Sequence, residues 1–131
     1  MIKKKLVTPR WGWALTGSGH FFTDLNLPDT VRIFKDTTAS AAPVGGFYYN
    51  VYHTLVVAPA TSNTVAKCVY GISDNLATNV FAQAGKCRVP TIVFACDTAP
   101  ELETRAPKDI VMVYPRRIDL ENTEKLKSFE A

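Results

Sequence analysis

The residues best suited to chemistry lie between Val57 and Asn79, in the run VAPATSNTVAKCVYGISDNLATN. An apolar stretch from Tyr52 to Val57 stops at Ala58-Pro59-Ala60-Thr61, and small hydroxyl and amide residues precede helix-compatible sequence. A strand that feeds a helix N-terminus through small residues leaves main-chain N–H groups accessible, which suits an anion or the polar edge of a ring. Thr61, Ser62, Asn63 and Thr64 all hydrogen-bond without charge, whereas capping the helix needs only one of them. The excess points to a cofactor cradle rather than a nucleophile pocket. Ser73-Asp74-Asn75 is overprovided in the same way at a second helix start, with Asp74 read as a cap and Asn75 as able to face a ligand. Thr16-Gly17-Ser18-Gly19-His20 is a glycine loop after a strand, which is either a phosphate cradle or a tight turn. It lacks the full spacing of a dinucleotide or Walker loop.

Other chemistries fit less well. Ser18, His20 and Asp74 make up the inventory of a Ser/His/Asp hydrolase, but Ser18 and His20 share one loop and no GxSxG is present. Glu101 and Glu103, in PELET, read as solvated. Cys68, Cys87 and Cys96 stand 19 and 9 positions apart, which matches no zinc or iron–sulfur spacing, and His20 and His53 complete no ligand pattern. No metal site is expected. An odd thiol count without a secretion signal argues against a disulfide framework, so the cysteines read as small buried hydrophobes. Cys96 stands out because it ends an apolar strand.

The net charge of +3 is mild, and its basic clusters are only Lys3–Lys5 at the terminus and the Arg116-Arg117 pair, with no basic stripe interleaved with aromatics, so nucleic acid is not an expected partner. No apolar run approaches the roughly 20 residues that span a bilayer, and no signal-peptide h-region follows the basic N-terminus. No membrane partner is expected, and the cytoplasm is the expected location.

These residues need a frame to hold them. Arg10 to Thr16, Tyr52 to Val57, Thr91 to Cys96 and Asp109 to Tyr114 read as strands, and Val31 to Phe34 as a short one. Val44 to Asn50 is too rich in glycine and aromatics to assign. Helices are expected from Asn63 to Tyr70, from a Ser73 or Asp74 cap to Lys86 with Leu76, Val80, Phe81 and Ala84 on one face, and after an Asp119 cap with Leu120, Thr123, Leu126 and Lys127 on one face. Pro100 to Pro107 reads as a loop. This alternation predicts an α/β fold, a Rossmann-like three-layer sandwich with a mostly parallel sheet. Ligands of such sheets collect at the carboxyl ends of the strands. Gly17-Ser18-Gly19, Ala58 to Thr64 and Cys96 to Thr98 lie at three such ends, and we expect them to share one pocket. The 11 residues between Gly19 and Val31 are too few for a crossover with its helix, so either the domain is trimmed there or residues are missing between about 22 and 31.

The string APATSNTVAKCVYGISDNLATN, with TGSGHF upstream, resembles the flavoproteins that include FMN-dependent cysteine decarboxylases, flavin prenyltransferases, archaeal flavoproteins and dihydromethanopterin reductase. The C-terminal RRIDLENTEKL segment looks most like the archaeal-flavoprotein and dihydromethanopterin-reductase branch. The resemblance covers Trp11 to Phe22 and roughly Ala39 onward, and it implies one FMN-binding domain over 1–131 that assembles as a trimer or a multiple of trimers. It places Gly17, Ser18, Gly19 and His20 beside the flavin, with Ala58, Pro59, Ala60, Thr61, Asn63 and Thr64 lining it. Ser73, Asp74, Asn75, Thr78 and Cys96 would complete the site, and Phe47-Tyr48-Tyr49 would pack against the ring, a neighbouring subunit or the core.

The resemblance implies an FMN-dependent oxidoreductase reducing dihydromethanopterin to tetrahydromethanopterin. A reduced flavin, an NAD(P)H system or ferredoxin would serve as donor. The alternatives are a non-catalytic electron carrier for a ferredoxin-like partner, or a family decarboxylase. The last loses its anchor, because Cys96-Asp97-Thr98 stands where decarboxylases carry a PxMN-type motif.

Overall fold

The computed structural model describes residues 10–16, 36 and 42–129. Strand β1 spans Trp11–Ala14, and a 3-10 helix spans Ala42–Phe47. Then come β2 (Thr54–Ala60), α1 (Ser62–Tyr70), α2 (Leu76–Lys86), β3 (Thr91–Ala95), β4 (Leu102–Arg105), β5 (Ile110–Val113) and α3 (Arg117–Leu126). The glycine loop Gly17 to His20, the short strand expected over Val31 to Phe34 and the tight spacing between Gly19 and Val31 fall outside the described residues.

Strands β1, β2 and β3 form a parallel sheet in that order, with Trp13 opposite Val56 and Val57 opposite Val93. This is the α/β arrangement with a parallel sheet that the alternating pattern predicts. β2 is central because its side chains can be buried: Leu55 and Val57 are each 1% exposed. They meet Phe47, Val65, Val80, Ala84 and Val89 in one core cluster. Phe47 is therefore a core residue, while Tyr48 and Tyr49 remain exposed. The opposite sheet face carries Trp11, Trp13, Ile92 and Phe94, all exposed.

β2 begins later and ends later than the pattern suggests. It runs on through Ala58-Pro59-Ala60, with a register shift between Val57 and Ala60. Pro59 has no N–H to give the ladder, so the pairing is interrupted there without ending the strand.

Helix α1 stops at Gly71, whose φ of 72° is left-handed and whose N–H bonds back to the carbonyls of Lys67 and Cys68. A side chain is strained at that φ, so the glycine sets the turn. The cap of α2 is Asn75, not Ser73 or Asp74. Asn75 accepts from the Thr78 N–H at 2.9 Å, and its own N–H donates to Thr78 Oγ1 at 3.3 Å. Asp74 is instead paired with Lys67 at 2.9 Å. The reciprocal bond needs a hydroxyl three residues on, which Thr78 supplies to Asn75 alone. The expected apolar face of α2 holds, with Val80 and Ala84 buried and Leu76 and Phe81 packed beside them.

Two C-terminal expectations change. The segment expected as a loop contains β4, which pairs antiparallel with β5 and sets Glu103 opposite Met112. Its exposed polar residues show no alternation because neither face is buried. Helix α3 begins at Arg117, so Asp119 is its third residue and not its cap. Its carboxylate reaches back to the Arg116 N–H at 2.9 Å, which satisfies the helix start from inside. Asp119 and Asn122 are the buried residues of α3, although Leu120, Thr123 and Leu126 are also partly covered.

Candidate functional site at the strand carboxyl ends

Because β1 and β3 flank β2 in parallel, their carboxyl ends meet at one edge. Hydrogen bonds join those ends. Thr16, just past β1, donates from its N–H (3.2 Å) and its hydroxyl (2.8 Å) to the Pro59 carbonyl. The same hydroxyl accepts from the Thr61 N–H at 3.1 Å. From the other side, the Cys96 N–H donates to the Ala60 carbonyl at 3.0 Å. The Trp13 indole donates to the Ala58 carbonyl at 2.7 Å.

The carbonyls of Ala58, Pro59 and Ala60 are thus engaged with neighbouring strands, and they fix the edge. Thr61 is the N-cap of α1: its hydroxyl accepts from the Thr64 N–H at 3.3 Å and shares a bond with the Thr64 hydroxyl at 3.1 Å. Thr64 is buried and belongs to this cap. The N–H groups of Ser62 and Asn63, in the first turn, have no intrahelical partner. Asn63 is exposed and Ser62 is half-buried.

Past β3, Asp97 accepts the Ser62 hydroxyl proton, and its carbonyl accepts from the Thr123 hydroxyl at 3.2 Å, so α3 is tied to the same edge. Of the three cysteines expected to be buried only Cys68 is, and Cys96 is exposed because it follows β3 at the open edge; its thiol is still raised above its usual range by partial desolvation and then by the Asp97 charge. At the start of α3, the Arg116 guanidinium grips Asp119 through Nε (3.0 Å) and a terminal nitrogen (2.8 Å). That grip, against the opposing effect of burial, holds the Asp119 carboxyl below its usual range.

Ser73, Asp74, Asn75 and Thr78 stand elsewhere. They follow the far end of α1, a helix of nine residues and thus about 13 Å long. There Ser73 and Thr78 border a groove of about 200 Å³ whose other walls include Cys68, Phe81, Thr91 and Phe129. Thr78 is 1% exposed, and its hydroxyl is spent on Asn75. Within one chain, the edge unites Ala58 to Thr64 with Cys96, and this second cluster lies at the opposite pole. Sequence reasoning counted Ser62 among the excess hydroxyls and placed Thr16 and Asp97 in the strand-end segments without giving either a role, and it read Arg116 only as half of a basic pair. Asp97 had a signal, as the first charge after an apolar strand at the carboxyl edge.

A family model described as Flavoprotein matches residues 20–131. The chain belongs to the Flavoprotein family. This flavoprotein is 43% identical over 89 residues to an uncharacterized protein of Methanocaldococcus jannaschii, covering 66% of this chain and 48% of the relative. It is 42% identical over 81 residues to a dihydromethanopterin reductase (acceptor) of Methanosarcina mazei, covering 60% of this chain and 34% of that protein. The chain spans half or less of the length of these curated relatives. Among solved structures it resembles DmrB of Burkholderia xenovorans in complex with FMN, described as a cubic protein cage for redox transfer. That match has a TM-score of 0.76 and 44% identity, and covers 93% of this chain and 84% of the other. Phenylacrylic acid decarboxylase of Aquifex aeolicus shares the fold, with a TM-score of 0.66 at 19% identity over 94% of this chain and 78% of that one.

Proposed function

We propose that this flavoprotein binds FMN at the strand carboxyl edge and acts as an oxidoreductase of the dihydromethanopterin reductase (acceptor) type. The observation that carries the reading is the stitched edge itself. It presents two main-chain N–H groups without an intrahelical partner, and neutral hydroxyls, at the start of a nine-residue helix, in a chain 44% identical to an FMN-binding relative. Main-chain N–H groups suit the carbonyls of a heteroaromatic ring, and a rigid edge keeps them aimed without reorganisation. This donor set fits a flavin.

Bound FMN supplies the redox chemistry, accepting electrons from a reduced donor and delivering them to a dihydropterin. The protein's share is placement. Thr16 and Cys96 hold the strand ends in register, Thr61 ends the strand and starts the helix, and Ser62 and Asn63 offer their N–H groups. Gly17 to His20 directly follow Thr16 in the sequence, and that proximity supports assigning them the remaining ligand contacts. Ser73 to Thr78 stand at the opposite pole, so a flavin contact from them would come from a neighbouring copy. The caged relative supports a homo-oligomer. We place the chain in the cytoplasm, where the free thiols Cys68, Cys87 and Cys96 would stay reduced. Among the described residues no helix is long and apolar enough to cross a membrane.

Decarboxylation fits the edge less well, because Asp97 stands where a substrate carboxylate would be anchored and like charges repel.

The test is a visible absorption spectrum of the purified protein with and without added FMN, followed by anaerobic reduction and mixing with dihydromethanopterin. Yellow protein that oxidises as the dihydropterin is consumed is the expected result. Colourless protein that ignores FMN overturns the reading. Flavin that binds but leaves the pterin unchanged points to an electron carrier instead.

A further inference from the structure

We propose that β4 pairs antiparallel with β4 of a second copy across a two-fold axis at Thr104, which sets Glu103 of each copy opposite Arg105 of the other. The inference rests on the homo-oligomer proposed above, names one of its contacts, and does not depend on the flavin. The backbone shows which groups β4 leaves open. The Ala106 N–H donates to the Asp109 carbonyl at 2.8 Å, so these two residues form a hydrogen-bonded pair at the foot of the turn. Such pairs alternate with open ones along an antiparallel ladder. In the observed register Thr104–Val111 and Leu102–Val113 are therefore bonded, and Glu103 and Arg105 turn their N–H and carbonyl groups outward. Among the described residues β4 and β5 form a sheet of their own, so this edge of β4 is unpaired.

The side chains on that edge are self-complementary. Glu103 and Arg105 are two positions apart in a strand, hence on one face of the ribbon, and both are exposed. Among the described residues neither forms an ion pair within its own chain. An edge carrying one sign of charge repels its own copy. Here the two-fold axis puts opposite charges across the join in both rows, and brings the two Thr104 side chains together on the other face, a favourable cross-strand pair. Each Glu103–Arg105 pair also exchanges main-chain hydrogen bonds, because these are the residues whose groups point outward. The open edge of β5 offers no such match, since its outward residues are the uncharged Ile110 and Met112. The ribbon also needs support. A two-stranded hairpin is marginal in water, and Ile110 and Met112, on the same face as Glu103 and Arg105, are 72% and 46% exposed. Joining two ribbons through β4 exceeds the roughly three strands that independent stability needs. It also sets each ion pair between Met112 of one copy and Ile110 of the other.

The experiment measures the mass of the full chain by sedimentation over a range of concentrations. It compares wild-type protein, Glu103→Arg, Arg105→Glu and the double variant Glu103→Arg/Arg105→Glu, with the urea midpoint of each recorded alongside. Wild-type protein is expected to self-associate. Each single reversal sets like charges opposite each other in both rows, and is expected to raise the dissociation constant of this contact about tenfold or more. The double reversal restores opposite charges and is expected to return the constant to the wild-type range. All variants are expected to keep the wild-type urea midpoint, because both side chains are exposed. Single reversals that lower the midpoint and leave the mass unchanged would show that these charges act within one chain, which overturns the assignment. A wild-type oligomer that neither single reversal weakens, or that the double reversal fails to restore, overturns this assignment alone. Wild-type protein that stays a monomer at every concentration overturns the homo-oligomer and this assignment together, and leaves the flavin reading to its own spectrum.

Discussion

Replacing Thr16 by Val removes one hydroxyl and keeps the shape of the side chain. That hydroxyl donates to the Pro59 carbonyl at 2.8 Å and accepts from the Thr61 N–H at 3.1 Å, so it ties the end of β1 to both sides of the irregularity in β2. Each bond contributes about 0.5–1.5 kcal/mol net, and together they make Thr16→Val cost about 1–3 kcal/mol. With a urea slope of about 1.5 kcal/mol per molar, the unfolding midpoint falls by roughly 1–2 M. In a thermal scan the drop is about 4 °C per kcal/mol for a chain of this size. Thr16→Ser retains the hydroxyl and gives up one half-buried methyl, at a cost under about 1 kcal/mol. The second readout is FMN affinity. Thr61 loses the bond that positions the start of α1, so Thr16→Val weakens binding while Thr16→Ser preserves it. Thr16→Val protein that unfolds at the wild-type midpoint would refute the reasoning, because the strand ends would then be held by something other than this hydroxyl.

Three further perturbations bear on the rest of the structure. Asn75→Ala removes the cap of α2 and costs about 1 kcal/mol by urea unfolding; an FMN affinity that also falls tenfold or more would place Asn75 against a flavin held by a neighbouring copy. Burial pushes the Cys68 thiol up to about 11, so iodoacetamide at pH 8 followed by mass spectrometry should leave Cys68 unmodified until the protein is unfolded. The folded state keeps that proton longer than the unfolded chain, so this contribution, up to about 2 kcal/mol, is present below pH 9 and is lost as pH rises toward 11. Asp119→Ala removes the carboxylate that closes the start of α3 and costs about 1 kcal/mol. Because Arg116 lowers the Asp119 pKa, wild-type protein keeps that contribution above about pH 4 and loses it on further acidification, and the variant lacks this loss in an acid titration.

Several features were legible in the sequence because they depend on near neighbours. The alternation of apolar strands with helical periods specified a parallel α/β sheet, and β-branched residues without charge marked β2 and β3 as strands. Gly71 ended α1 because only the residue at the turn has to adopt the left-handed backbone. The hydroxyl-rich run after β2 marked the edge. Local pattern could not show which of its hydroxyls a cap would consume: Thr61 and Thr64 bond each other, whereas Ser62, between them in sequence, bonds a residue 35 positions away. The cap expected at Ser73 or Asp74 fell to Asn75, because Lys67 claimed Asp74 and only Asn75 has Thr78 three residues on. β4 was invisible because a strand with no buried face leaves no periodic trace, and only its pairing with β5 defines it.

What the chain determined by itself is therefore the kind of sheet, the helix starts and the chemistry available at the strand ends. What folding alone decided is which of those groups meet. The order β1-β2-β3 carried Thr16, Ser62 and Asp97 to one edge and sent Thr78 to the opposite pole. The physical reason is range: propensity and capping act over a few residues, whereas a hydroxyl finds its partner only after loops of tens of residues have closed.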